Sequence, residues 1–233
     1  MISSEQFYTC SVFWYKKSLP FPKTYATINL SKKNGKKETP MKIILASGSP
    51  RRKELLTMMG LNFETKTSQK EENLNPQLSI KEQCKQLAYQ KARDVLDQIP
   101  EKEDCFIIGS DTMVVKAETI YGKPKSKEDA FSMINQLQGA SHEVYTSLCV
   151  IVRKQGKEKQ YITLDTTKVH LKEMSNQEIE MWLAKKEWKD KAGAYAIQGF
   201  FSVFISKIEG NFYSVMGLPI HQLYEIMKQE KLM

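Results

Sequence analysis

The sequence contains no apolar run approaching the roughly 18 residues that a membrane-spanning helix needs, so a membrane-embedded protein is not expected. Its four cysteines, Cys10, Cys84, Cys105 and Cys149, are widely spaced and form no CxxC pair. Three scattered histidines add no ligand cluster. Zinc-finger and disulfide-framework proteins are thereby set aside, and buried free thiols in a reducing, cytoplasmic compartment are expected. No Walker A loop, no GxGxxG and no internal repeat occurs, so the nucleotide folds that those glycine motifs mark are not supported.

What is present is enough for a folded domain. The chain has 233 residues, 41% hydrophobic and 27% charged, which fits one domain or two small lobes sharing a core. The net charge of +8 is uneven. Residues 1–40 hold seven lysines and two acids, so +5 of the excess lies there and +3 in the remainder. A body so near balance weakens a nucleic-acid role argued from basicity alone. The first 40 residues read as an appendage, with SVFWY, two prolines and then SKKNGKKETP. They lack arginine and a clean amphipathic period. A targeting peptide, a partner arm and sequence upstream of the true start stay open, and a loosely attached tail fits best.

From Met41 onward, strand and helix patterns interleave. KIILAS (42–47) predicts a buried strand. Ser49 then stands as a helix cap, with Pro50 at the first helical position and Gly60 as the stop. Leu55, Leu56 and Met59 give that helix its apolar face. NFETKT (62–67) predicts a strand, and KEENLNPQL a polar loop. Ser79/Glu82, Ser126/Asp129 and Ser175/Glu178 have capping-box spacing and open three further helices. CFIIG and TMVV (105–115) predict a strand interrupted at Gly109-Ser110-Asp111. Residues 144–152 and 160–171 predict a long hairpin around KQGKEK. Residues 194–208 look strand-like with a glycine break, and a last helix starts near Pro219. The pattern predicts an α/β fold with a mixed twisted sheet and flanking helices.

Five places carry charge or polarity where packing alone would not put it. In LASGSPRRKELL (45–56), Arg51 and Arg52 sit where a strand becomes a helix. The unpaired amides and positive dipole of a helix start attract phosphate, and arginine matches its oxygens. Spacing alone also allows two solvated arginines. Lys91 falls on the apolar face of its helix, with Cys84, Leu87, Ala88 and Val95; it either snorkels or aims into a cleft. Asp111 follows a buried strand, where open α/β sheets place their chemistry, although a turn aspartate would look the same. Glu71 and Glu72 offer a second carboxylate, and two hard oxygen ligands suit Mg²⁺ with substrate phosphates. GKP (122–124) brings Lys123 beside a rigid proline, and KAGAYAIQG (191–199) brings Gln198, whose amide can read a base edge. A nucleoside triphosphate carries about four negative charges. Mg²⁺ with Arg51, Arg52, Lys91 and Lys123, less two carboxylates, would roughly neutralise it.

LASGSPRRKELL, the acidic loop at Glu71-Glu72, LAYQKA (87–92), IIGSDTMVV (107–115), GKP, KAGAYAIQG and VMGLP (215–219), in this order, resemble the Maf family of nucleoside triphosphate pyrophosphatases. SPRR, GSDT and KAGAYAIQG together are highly specific. The resemblance covers residues 41 to about 228. It implies two lobes around a central cleft, like the inosine triphosphatases (Maf/Ham1-like). It implies Mg²⁺-dependent cleavage between the α and β phosphates, with Mn²⁺ or another divalent cation as a substitute. It implies a house-cleaning role and a homodimer. By the same resemblance Asp111 is the catalytic carboxylate and Glu72 its metal-binding companion, with Glu71 the fallback. Ser49, Arg51, Arg52, Lys91 and Lys123 would bind phosphate. Thr112 and Gln198 resemble the branch acting on dTTP and UTP; the branch preferring 7-methyl-GTP carries Trp after SP and Gln after GSD. Modified pyrimidine nucleotides fit the same features. The N-terminal extension departs from the family pattern.

Two other classes remain open on sequence. A nucleotide-binding regulator of cell division and septation would bind without turnover. A nucleic-acid binder using the lysine-rich tail would show strong salt dependence; the small-molecule nucleotide is the partner favoured, with neither nucleic acid nor membrane.

Overall fold

The computed structural model describes residues 41–233; the expectations placed on residues 1–40 and on Cys10 lie outside the described residues. Strand β1 (Lys42–Leu45) leads into helix α1 (Pro50–Met58), then β2 (Glu64–Thr65) and helix α2 (Ile80–Asp97). Strands β3 (Cys105–Lys116) and β4 (Thr119–Tyr121) precede helix α3 (Lys127–Leu137). Strands β5 (Ser141–Lys154) and β6 (Lys157–Leu171) form the long hairpin, followed by α4 (Asn176–Ala184). Two 3₁₀ turns, Ala192–Ala194 and Phe200–Phe204, lead to β7 (Ile205–Glu209), α5 (Phe212–Met216) and α6 (Ile220–Gln229).

The seven strands make one mixed sheet in the order β2-β1-β3-β5-β6-β7, with β4 on β3. β1 runs parallel to β2 and β3, and all other pairings are antiparallel. Side-chain alternation along β3 decides what each face carries. Cys105, Ile107, Met113 and Val115 pack with Ala88, Ala92 and Val95 or with Cys84 and Leu87, so α2 covers that face. Phe106 and Ile108 point the other way, into a cluster with Leu55, Leu56, Leu218, Leu223 and Met227. Farther along the same face, Val114 joins a second cluster with Trp182, Leu137, Ile134 and Phe201. Between these two apolar clusters β3 and its neighbour present Ser110, Thr112 and Thr146, the first and last fully buried.

Three serines cap as their spacing predicts: Ser79, Ser126 and Ser175 each accept the amide of the third helical residue. Only Ser175 completes the reciprocal box with Glu178. Ser49 stands before α1 without a side-chain cap bond, and its own amide donates to Ser47 Oγ at 3.2 Å. Two expectations are corrected. β3 is not interrupted at Gly109-Ser110-Asp111: all three residues stay in register with Cys149, Leu148 and Ser147 of β5. What stops there is the partner on its other edge. β1 pairs with β3 only through Ile108, and β4 resumes only at Val114. Residues 194–208 are mainly not a strand, since Gly193, Ala194 and Gly199 all have positive φ and only Ile205–Glu209 extends.

Candidate active site

The gap in the sheet edge between β1 and β4 is where the charged residues meet. Asp111 lies within it, on the face covered by α2, and is 7% exposed. The helix comes close because position 109 has no side chain. A Cβ there would stand 2.4 Å from the Ala88 carbonyl oxygen and 2.9 Å from Ala92 Cβ. Lys91 of that helix therefore reaches the strand, with its Nζ 2.5 Å from Asp111 Oδ1. The same Nζ is 3.0 Å from Glu72 Oε1. Lys91 thus turns inward and does not snorkel.

Glu72 belongs to the polar loop after β2 and is exposed. The loop and α2 enclose a hollow of about 410 Å³ lined by Ser68, Lys70, Glu71, Glu72, Gln90 and Lys91, among others. Glu71 lines this hollow but does not reach Lys91 within ion-pair distance among the described contacts. A larger hollow of about 610 Å³, lined by Met59, Phe212, Tyr213 and Tyr224, lies away from the charged cluster and is mostly apolar.

Arg52 approaches from α1 on the opposite face. Its Nε donates to Gly217 O at 2.8 Å, one terminal nitrogen to Ser47 Oγ at 3.2 Å and the other to Thr112 Oγ1 at 3.3 Å. Three of the five N–H groups of a guanidinium are so engaged, which fixes its plane and leaves two for an anion. Burial lowers its pKa, and the negative charge of Asp111 counters that effect. The Thr112 hydroxyl also lies 3.2 Å from Thr146 Oγ1, whose own proton goes to Ser214 O at 2.7 Å. Ser110 Oγ sits 2.8 Å from Ser147 O and 2.9 Å from Gly217 O, holding the chain that receives Arg52. Neighbouring residues of one strand therefore serve two faces: Asp111 meets Lys91, while Ser110 and Thr112 support Arg52.

The other sequence candidates are placed less centrally. Arg51 is half-buried, its pKa lowered by desolvation and partly restored by Asp190. Its charge is felt at Lys191, whose pKa is lowered first by burial and then by the Arg51 charge. Lys191 opens the KAGAYAIQG motif yet was not singled out from sequence. Gln198 is half-buried and Lys123 exposed, and neither side chain contacts Asp111 among the described contacts. Their segments are nevertheless joined, because Gly193 N donates to Gly122 O at 3.0 Å. Ser47, Ser110, Thr146 and Gly217 were also missed. Ser47, Ser110 and Gly217 lie inside the motifs that carry the family resemblance and Thr146 inside the predicted hairpin, but as small polar or glycine positions they carry no charge to single them out.

Asp111 and Glu72 converge on one cation, the Lys91 ammonium. Among the described residues no group of three or more His, Cys, Asp or Glu side chains could hold a metal. Two carboxylates with the remaining positions left to phosphate and water is the donor set that Mg²⁺ accepts. The Cys84 thiol, beneath Asp111 with Sγ 3.6 Å from its carbonyl oxygen, is pushed up to about 12 by burial and then by the Asp111 charge. Cys84, Cys105 and Cys149 are all buried and free, as expected.

Comparison with known families decides what this constellation belongs to. The family profile described as "Maf-like protein" matches residues 42–230. The chain belongs to the Maf family. Among similar Maf proteins is one from Alkaliphilus oremlandii, 44% identical over 186 residues, covering 80% of this chain and 94% of the relative. One from Bacillus anthracis is 43% identical over 188 residues, 81% of this chain and 95% of its own. One from Aquifex aeolicus is 40% identical over 193 residues, covering 83% and 97%. All three are named dTTP/UTP pyrophosphatase. In this Maf chain, no helix among the described residues is long and apolar enough to cross a membrane.

Proposed function

We propose that this chain is a Mg²⁺-dependent pyrophosphatase that converts dTTP and UTP to the monophosphate and pyrophosphate. The observation that carries this is the meeting of three separate motifs at one point: Lys91 Nζ lies 2.5 Å from Asp111 and 3.0 Å from Glu72. The naming of its relatives supports the same substrates. The two apolar clusters on one sheet face, with a polar belt between them, support a two-lobed body around a cleft, as in inosine triphosphatases.

In this scheme the triphosphate lies along the gap between β1 and β4. Asp111 and Glu72 would hold the divalent ion, which when bound lowers the charge that develops on the phosphate oxygens. Asp111 orients the attacking water and takes up its proton. The water oxygen bonds to the α-phosphorus, the bond from that phosphorus to the bridging oxygen breaks, and pyrophosphate departs. The amides at the start of α1, with Ser49, Arg51 and Arg52, receive the phosphate oxygens. Lys91 follows the charge from the carboxylates onto the substrate, and Lys123 joins from its exposed position. Thr112 keeps Arg52 in plane, and Gln198 meets the base.

The deciding experiment incubates the full chain with UTP, dTTP, CTP, GTP and modified pyrimidine nucleotides, plus Mg²⁺, and detects pyrophosphate. Release fastest from dTTP and UTP is expected. Binding without release from any nucleotide by the folded chain would reject the enzyme in favour of a regulator.

A further inference from the structure

The acidic loop after β2 has little structure of its own. β2 pairs with β1 at only two positions, and residues 71–78 form neither helix nor strand. Glu72 nevertheless meets the same Lys91 ammonium as Asp111. Its direct tie is the ion pair with Lys91, in which the carboxylate is 57% exposed and so weakly held. A second attachment sits three residues farther along α2.

Asp94 is 5% exposed, which is uncommon for an aspartate. Its Oδ2 accepts from Ser68 Oγ at 2.9 Å, from the Gln69 amide at 2.7 Å and from the Lys70 amide at 3.4 Å. Gln98 Nε2 lies 3.4 Å from the same oxygen, and the exposed Lys70 Nζ 3.4 Å from Oδ1. Burial alone would raise its pKa. The Gln69 amide and the Ser68 hydroxyl, with Lys70, instead hold it below the ordinary value. A buried carboxylate that takes a hydroxyl and two backbone amides from three consecutive residues grips the chain itself, beyond its ion pair with the exposed Lys70. Residues three apart on a helix share a face, so Lys91 and Asp94 hold the loop from one side, two residues before Glu72 and at Glu72 itself.

We infer that Asp94 is a positioning residue that anchors residues 68–70 and so holds Glu72 where it shares a divalent cation with Asp111. This rests on the proposed role of Glu72 as a metal ligand. Asp94 touches neither substrate nor metal; it acts through the loop, as partners behind metal ligands do.

The test measures Mn²⁺ binding to the folded full chain by calorimetry, in the presence of α,β-imido-dUTP, for wild type, Asp94→Ala, Asp94→Asn, Ser68→Ala and Glu72→Gln. Asp94→Ala should weaken Mn²⁺ binding about tenfold, within the span seen when the support of a ligand is removed. Asp94→Asn and Ser68→Ala should each fall between Asp94→Ala and wild type, since they keep part of the anchor. Binding of the nucleotide without metal should stay within about twofold, which general loosening of the fold would not spare. Amide exchange at Gln69 and Lys70 should accelerate in Asp94→Ala. If Glu72→Gln binds Mn²⁺ like wild type, the metal role of Glu72 fails and this inference with it. If Glu72→Gln weakens binding but the Asp94 and Ser68 variants do not, the metal role stands and the anchor is rejected. Should Asp94→Ala fail to fold, Asp94→Asn and Ser68→Ala carry the same decision.

Discussion

Lys91 and Asp111 lie 20 positions apart in the chain and 2.5 Å apart in space. Helical spacing alone placed Lys91 on a buried face, where snorkelling and a cleft-directed ammonium predict the same pattern. The inward choice follows from what stands opposite: a buried carboxylate that needs a counter-charge. In the proposed scheme Asp111→Asn keeps the shape and removes the proton acceptor. Turnover should then fall about 10²- to 10⁴-fold, with the circular dichroism spectrum unchanged. Pyrophosphate release near the wild-type rate would show that another carboxylate does this work. Gln198 acts at the other end of the substrate. Gln198→Ala should narrow the preference for UTP over CTP and GTP while shifting phosphate affinity less, read from kcat/KM across the panel. Arg52 shows what a single residue type does not reveal. Its charge was legible, but the three acceptors that lock its plane come from Ser47, Thr112 and Gly217, scattered along the chain.

Among the elements, β3 matters most. Its composition suggested a break at Gly109-Ser110-Asp111, since glycine and serine favour turns. β5 pairs with it throughout and overrides that local preference. Gly109 serves close approach and not a turn. Gly109→Ala would drive a methyl group against the Ala88 carbonyl oxygen and Ala92, pushing α2 outward. A loss of about 1–3 kcal/mol in urea unfolding is expected from overpacking. Activity should fall further than stability alone explains, because Lys91 moves with the helix. Full activity in Gly109→Ala would mean that the helix-to-strand distance is not critical. The hairpin of β5 and β6 tests turn chemistry separately. Gln155 and Gly156 both have positive φ, at 52° and 73°, as a two-residue primed turn needs. Asparagine tolerates that conformation better than glutamine. Gln155→Asn should therefore raise stability by about 0.5 kcal/mol, with no change in activity. A drop in thermal midpoint would show that the Gln155 side chain has an unseen role.

For the whole molecule, the titration of one buried group gives a pH signature. His142 is 2% exposed and its Nε2 lies 2.6 Å from Tyr195 Oη, within the second apolar cluster. Burial, then the charges of Lys116 and His170, push its pKa down to about 4. In the unfolded chain the ordinary value is near 6.5. Between these values the unfolded chain binds more protons, so stability is full above about pH 6.5 and declines as pH falls toward 4. The full loss across this window is about 3 kcal/mol, taking 1.36 kcal/mol per pKa unit. Carboxylates held low, such as Asp97, Glu158 and Glu230, act at more acidic pH. Urea unfolding of wild type should weaken from pH 7 to 5, and His142→Asn should flatten that slope. An equal slope in both would assign the acid sensitivity elsewhere.

The sequence by itself determined the caps, the hairpin, the α/β alternation, the family and the set of charged side chains. These are local or near-local properties: a serine three residues before an acid, a period of two, a run of motif residues. Tertiary structure alone decided which charges meet. β3 sends alternate side chains to opposite faces, and the partner on one edge stops, so groups from two faces reach one gap. It also decided that Glu72, and not Glu71, reaches Lys91, and that Asp94 holds their loop. Such contacts depend on how closely a helix lies on a strand, a distance fixed by packing across the sheet and not by any neighbour in the chain.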